Sequence, residues 1–228
     1  MGSPSLTDQV EDGAGARLDA IKPRLRGWLH AGVTPLVLAS GIVLICLAST
    51  SGTTWAAAVY SAAGLVLFAT SAIYHVGTWS PQVHGVLRRM DHANVYLIIA
   101  GSYTPIAVQT LHGTTREVLL VLVWVGAVLG VLFRAVWVDA PRVLYTGLYI
   151  LLGWSVVPFT GDLFAASTAA AVLILAGGIL YTVGALVYGF KRPDPHPDWF
   201  GFHEVFHALT IAAWVCHYVA ISILVYQR

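Results

Sequence analysis

Two histidines, His203 and His207, stand four residues apart near the end of this 228-residue chain, where a long apolar run begins. On a helix that spacing turns about 400°, at roughly 100° per residue, so both imidazoles leave one face and can reach one metal ion. Such a pair on an apolar helix is costly in a membrane unless it has partners. The candidate partners are His75, Asp91 and, one turn before His75, the hydroxyl of Ser71. Zinc takes tetrahedral nitrogen, oxygen or sulfur ligands, and a catalytic site leaves one position for water. His75, His203 and His207 plus a water fit that description, with Asp91 placed to hold the water or orient a ligand. The chemistry would be metal-assisted hydrolysis, because bound zinc brings the pKa of its water down from about 15.7 toward roughly 7.

The elements that must position these residues follow from composition. Hydrophobic residues make up 57% of the chain and charged residues 10%, against about 25% charged in soluble domains. With a mean hydropathy of +0.76, this is an integral membrane protein. Its net charge of +1, with no basic stripe, argues against a nucleic-acid partner. Spans need about 20 apolar residues, and seven windows qualify: 30–49, 54–76, 90–111, 117–138, 143–160, 166–189 and 203–226. Turn-forming residues mark the breaks, among them Ser80-Pro81, Asp139-Ala140-Pro141 and the run Pro193 to Pro197. The expected architecture is all-α: a polar tail over residues 1–27, with no signal-peptide core, then one seven-helix transmembrane domain over 28–228 without internal repeats.

Charge orients the helices. Arg17, Lys22, Arg24, Arg26, Arg88, Arg89, Arg134, Arg142, Lys191 and Arg192 fall on the side of the N-terminus, and Arg116 and Arg228 on the other, ten against two. The positive-inside rule then puts the N-terminus in the cytoplasm and the C-terminus outside. On that topology His75 ends the second helix, Asp91 begins the third, and His203 and His207 begin the seventh, all near the cytoplasmic face. Scattered interfacial residues bonded to loops would not be expected to share one depth on three helices.

The other polar residues have plainer readings. Glu204 completes a His-Glu-x-x-His string, in which a metalloprotease uses the Glu as general base. It points about 100° away from His203, and no Asp or Glu follows His207 to serve as a further ligand, so a first-turn carboxylate favoured by the helix dipole is the simpler account. His217 lies ten residues beyond His207, about 15 Å deeper, too far for the same ion. His92, adjacent to Asp91, is expected to project elsewhere, with support of a ligand as the alternative, and His30, His84, His112 and His196 are expected to be solvated in or near loops. Tyr96, Ser102, Tyr103 and Thr104 are expected to join helices, Gly126 and Gly130 to form a packing seam, and Cys46 and Cys216 to be buried free thiols.

Taken together, Ser71-Ala-Ile-Tyr-His75, Leu87-Arg-Arg-Met-Asp91-His92, Tyr96 to Pro105, His203-Glu-Val-Phe-His207 and Cys216-His217-Tyr218 resemble the hemolysin III family over about residues 25–226. These are bacterial relatives of the adiponectin and progestin receptors, within a wider set of seven-helix proteins that includes alkaline ceramidases. The resemblance implies that His75, His203 and His207 bind zinc, that Asp91 holds the metal water, and that Ser71 is the family's polar residue one turn before the first histidine; Asp91 and Ser71 are the expected catalytic residues. It also implies an inner-membrane location and a link to lipid homeostasis. The expected function is a zinc-dependent hydrolase of a lipid amide or ester, or a lipid-homeostasis factor derived from one, with a membrane lipid as substrate or ligand. The alternatives are a receptor or sensor with structural zinc and, third, a cytolytic protein; the spans lack the polar stripe that a pore would need.

Overall fold

The structure, a computed structural model, describes residues 23–226. Most of the expected polar tail, including Arg17 and Lys22, and the terminal Arg228 lie outside the described residues. The fold is all-α. The helices are α1 (Trp28–Cys46), α2 (Ser51–Val76), α3 (Pro81–Thr110), α4 (Gly113–Val136), α5 (Arg142–Gly153), α6 (Thr160–Ala166), α7 (Thr168–Phe190) and α8 (Phe202–Tyr226), with a 3₁₀ turn over Val157–Phe159. Counting α5 to α6 as one interrupted passage gives seven. Six passages are long and apolar enough to cross a membrane, which makes this a multi-pass membrane protein.

Helix starts follow the local sequence. The Thr50, Ser80 and Ser167 side chains accept from the backbone N–H groups of Thr53, Val83 and Ala170, capping α2, α3 and α7. Pro81 occupies the first turn of α3, where a missing N–H costs nothing. Two bounds differ from the apolar windows. Helix α3 begins at Pro81 rather than near residue 90, because the polar run through Arg89 continues the helix beyond the apolar zone. The fifth passage breaks after Gly153, next to Pro158, which hydropathy alone reads as continuous. The Tyr103 hydroxyl donates to the Gly153 carbonyl at 2.7 Å, supplying a partner at that break.

Helix α3 is the passage that does not qualify as a span by itself. It packs against α2, α4, α5, α6 and α8, so its polar residues from Asp91 onward face protein, while Gln82, His84 and Arg89 before them are exposed. Trp124 of α4 donates to Thr104 at 3.1 Å, Ser102 bonds back to Ile98, and Asn94 donates to the Val66 carbonyl. With no hydrophobic drive between helices in lipid, close packing carries the association. A Cβ on Gly126 would meet Leu152 at 2.7 Å, and one on Gly130 would collide with the Tyr96 ring, so this pair is the expected seam. The thiols are free, but Cys46 is exposed and Cys216 half-buried: outward faces of the bundle meet no other helix.

Candidate metal centre

His75 sits in the last turn of α2 and is 7% exposed. Gly27, at φ 83°, lies against it; a Cβ there would come within 2.7 Å of the His75 Cβ. The start of α8 is held by two carboxylates. Asp194 accepts from the Phe202 N–H at 2.8 Å, and Glu204 accepts from the Gly201 N–H at 2.8 Å, the return half of a capping box. Glu204 also pairs with Arg26 at 3.2 Å and is fully buried, so its oxygens are engaged away from the histidines, as the first-turn reading expects.

With both helix ends fixed, His75, His203 and His207 converge. One ligand atom from each lies within 4.8 Å of the others. The His75 and His203 Nε2 atoms are 3.2 Å apart. A tetrahedral ion with bonds near 2.0–2.1 Å sets its nitrogen ligands roughly 3.3 Å apart, so this spacing fits a metal. The buried Nδ1 of His207 has no partner among the described residues, unlike a structural histidine tied into a hydrogen-bond network. The donor set of three imidazoles suits zinc, copper, iron or nickel and does not itself select one. Asp91, in the third turn of α3, brings Oδ2 to 3.7 Å from His75 Nε2, and its side chain is 13% exposed. Ser71 is buried on α2, and Ser71 and Asp91 line the same cavity as His203 and His207.

That cavity measures about 130 Å³ and is largely apolar, with Leu67, Ile98 and Ile174 in its walls. It reaches from Asp91 to Ile106 on α3 and from His203 to His217 on α8. At 1.5 Å per residue these are depths of about 20 Å. His217 therefore stands at the far end, as its spacing indicates, and its Nε2 donates to the Ile174 carbonyl at 3.2 Å.

Three residues depart from expectation, the first being His92, which lines the cavity instead of projecting away from it. His30 is not solvated: it is 2% exposed and its ring stacks on His207 at 3.8 Å, with 10° between planes. The depth argument that gathered the other ligands places the start of α1 at the same end of the bundle and could have found it. Arg134, counted as a flanking cation, is fully buried at the end of α4, bonded to the Trp137 and Val138 carbonyls and to His92. His84, His112 and His196 are exposed, as expected.

Fold and site together define a multi-pass helical membrane protein with a buried three-histidine cluster that could hold a metal ion at one end of an apolar cavity. The Haemolysin-III related family profile matches residues 18–218, and the chain belongs to that family. It is 31% identical to a hemolysin-3 homolog of Bacillus subtilis over 188 residues, 80% of this chain and 88% of that protein. It is 34% identical to hemolysin-3 of Bacillus cereus over 163 residues, 69% of this chain and 74% of that one. A more distant similarity, 26% over 169 residues, links it to an adiponectin receptor protein of Drosophila melanogaster, covering 66% of this chain and 38% of the receptor.

Proposed function

We propose that the chain is a zinc-dependent hydrolase of an acyl lipid amide or ester, or a lipid-homeostasis factor derived from such an enzyme. The observation that carries this reading is the junction of the histidine cluster and Asp91 with a deep apolar cavity. Zinc held by His75, His203 and His207 would supply a Lewis acid and an acidified water. Asp91 accepts the proton of the attacking water, and the Ser71 hydroxyl hydrogen-bonds that water. The cavity walls take the acyl chain and exclude bulk water, leaving the carbonyl carbon at the histidine end. The ten-to-two charge asymmetry supports a cell-membrane protein whose centre faces the cytoplasm.

One observation favours a second reading. Asp91 Oδ2 lies close enough to the cluster to serve as a fourth ligand after a small shift, and four protein ligands make a closed, structural site. Zinc would then be a staple in a receptor or sensor. Cytolysis, which the relatives' names describe for them, ranks third, because the cavity wall offers no continuous polar stripe. Metal content of the purified protein, with lipid hydrolysis measured before and after chelation, tests the proposal. One zinc per chain with chelator-sensitive turnover is expected; zinc without turnover supports the staple, and absence of metal removes both.

A further inference from the structure

Arg134 is a buried charge that the proposed hydrolysis does not use. Its Nη1 donates to the Trp137 carbonyl at 3.0 Å and its Nη2 to the Val138 carbonyl at 2.9 Å. The guanidinium also lies over the Tyr145 ring, 4.4 Å from its centre. Its remaining contact is Nη2 with His92 Nδ1. A guanidinium carries only donors, so Nδ1 of His92 must accept, and the neutral ring keeps its hydrogen on Nε2. That Nε2 faces the Tyr188 hydroxyl at 3.5 Å, a long contact of the kind that tightens in a substrate complex. Tyr145 donates to the same hydroxyl at 3.3 Å. Both lone pairs of the Tyr188 oxygen therefore face donors, and its own hydrogen has no acceptor among the described residues. Arg142 fixes the residue from behind, donating to the Tyr188 carbonyl at 3.2 Å and lying 4.7 Å from its ring centre. Tyr188 lines the cavity, with its ring centre 5.6 Å from that of His203.

We infer that Tyr188 is a further catalytic residue, its hydroxyl hydrogen directed into the cavity to bond the carbonyl oxygen of an acyl ester or amide. His92 and Arg134 are positioning residues: Arg134 sets the His92 tautomer, and that tautomer denies Tyr188 an acceptor inside the protein. The substrate class rests on the hydrolase reading above; the direction of the hydrogen bonds does not. Negative charge gathers on the carbonyl oxygen as water attacks, and a fixed donor there is worth more in the transition state than in the ground state.

The test uses the full chain in detergent, as parent and as Tyr188→Phe, with zinc content and melting temperature as controls. With p-nitrophenyl palmitate as probe, Tyr188→Phe is expected to lower kcat about 10²–10³-fold, as loss of an oxyanion donor does, with KM and zinc content unchanged. Equal kcat overturns the proposal. Nitrogen-15 histidine spectra of the parent, with the His92 signals assigned through His92→Gln, are expected to show hydrogen on Nε2; hydrogen on Nδ1 overturns it whatever the activity. If the zinc-loaded parent does not hydrolyse the ester, the hydrolase reading fails and infrared spectra decide the role of Tyr188. The probe is methyl palmitate carrying carbon-13 at its carbonyl. A lower carbonyl stretch in the parent than in Tyr188→Phe supports the hydrogen bond; equal frequencies, or no binding of the ester, overturn it. If Tyr188→Phe does not fold, the parent's carbonyl stretch is compared with that of the ester in empty micelles, and an unshifted band is the overturning result.

Discussion

Replacing Asp91 with Asn separates a base from a ligand. The substitution keeps size and some hydrogen bonding but removes the proton acceptor. Asp91 Oδ2 is 3.7 Å from His75 Nε2, beyond hydrogen-bond range, so the histidine cluster loses no direct bond when the charge goes. Zinc affinity should then fall by no more than the 10–100-fold typical of residues that support metal ligands. Loss of a general base costs about 10²–10⁴ in rate, or about 2.7–5.4 kcal/mol at 1.36 kcal/mol per tenfold. Asp91→Asn at saturating zinc should therefore retain one ion per chain and its melting temperature, while hydrolysis of p-nitrophenyl palmitate falls by at least two orders of magnitude. The companion is Glu204→Gln. It weakens the pairing with Arg26, a charged hydrogen bond worth about 1.5–3 kcal/mol, toward the low end because Arg26 is 24% exposed. Its melting temperature should drop while turnover per bound zinc stays near the parent's. Zinc content, melting temperature and hydrolysis on all three proteins give the answer. If Glu204→Gln abolishes hydrolysis and Asp91→Asn spares it, the assignment of the base is wrong and the metalloprotease-like string carries the chemistry.

Three other outcomes are expected. His203→Ala and His207→Ala should each lose most bound zinc, and full occupancy in the double variant, read by elemental analysis, removes the site. Gly27→Ala places a Cβ at positive φ, costing roughly 1–2 kcal/mol, and 2.7 Å from the His75 Cβ, so both melting temperature and zinc affinity should fall; an unchanged zinc titration refutes the idea that this contact seats His75. A periplasm-active reporter should work when fused after Arg228 and fail in the turn between α2 and α3, and the reverse pattern puts the metal centre on the outer face.

The site was legible where chemistry and depth coincide. His75, His203, His207 and Asp91 each sit near the end of an apolar run, and alternation of direction along those runs sends all four to one end. Breaks such as Ser80-Pro81 were legible because caps and prolines act locally. The interruption after Gly153 was hidden inside a window of even hydropathy, and the early start of α3 was hidden because polar residues continue a helix outside lipid as readily as they form a loop. His30 and Arg134 were misread for a common reason. Each has a partner from elsewhere in the chain: His207 stacks on the first, while His92 and Tyr145 close over the second, beside its local bonds to the Trp137 and Val138 carbonyls. Position along the chain gives a residue's depth, but only packing gives its neighbours.

The modest apolarity of α3 bears on how the protein is made. A helix that brings Asp91, Asn94 and Gln109 into the bilayer gains little from lipid and must be handed to its neighbours as it leaves the translocation machinery. Helices α2 and α4 are the partners next to it in the chain and pack on either side of it. His75 then waits through 128 residues of synthesis for His203. Until α8 arrives, a half-built nascent chain has His75 alone of the three cluster histidines, with Asp91 beside it, too few ligands to retain a metal ion firmly. If the cluster holds an ion, completion of the last helix would also be the moment at which it is captured, and quality control of assembly and loading of the ion would become a single event.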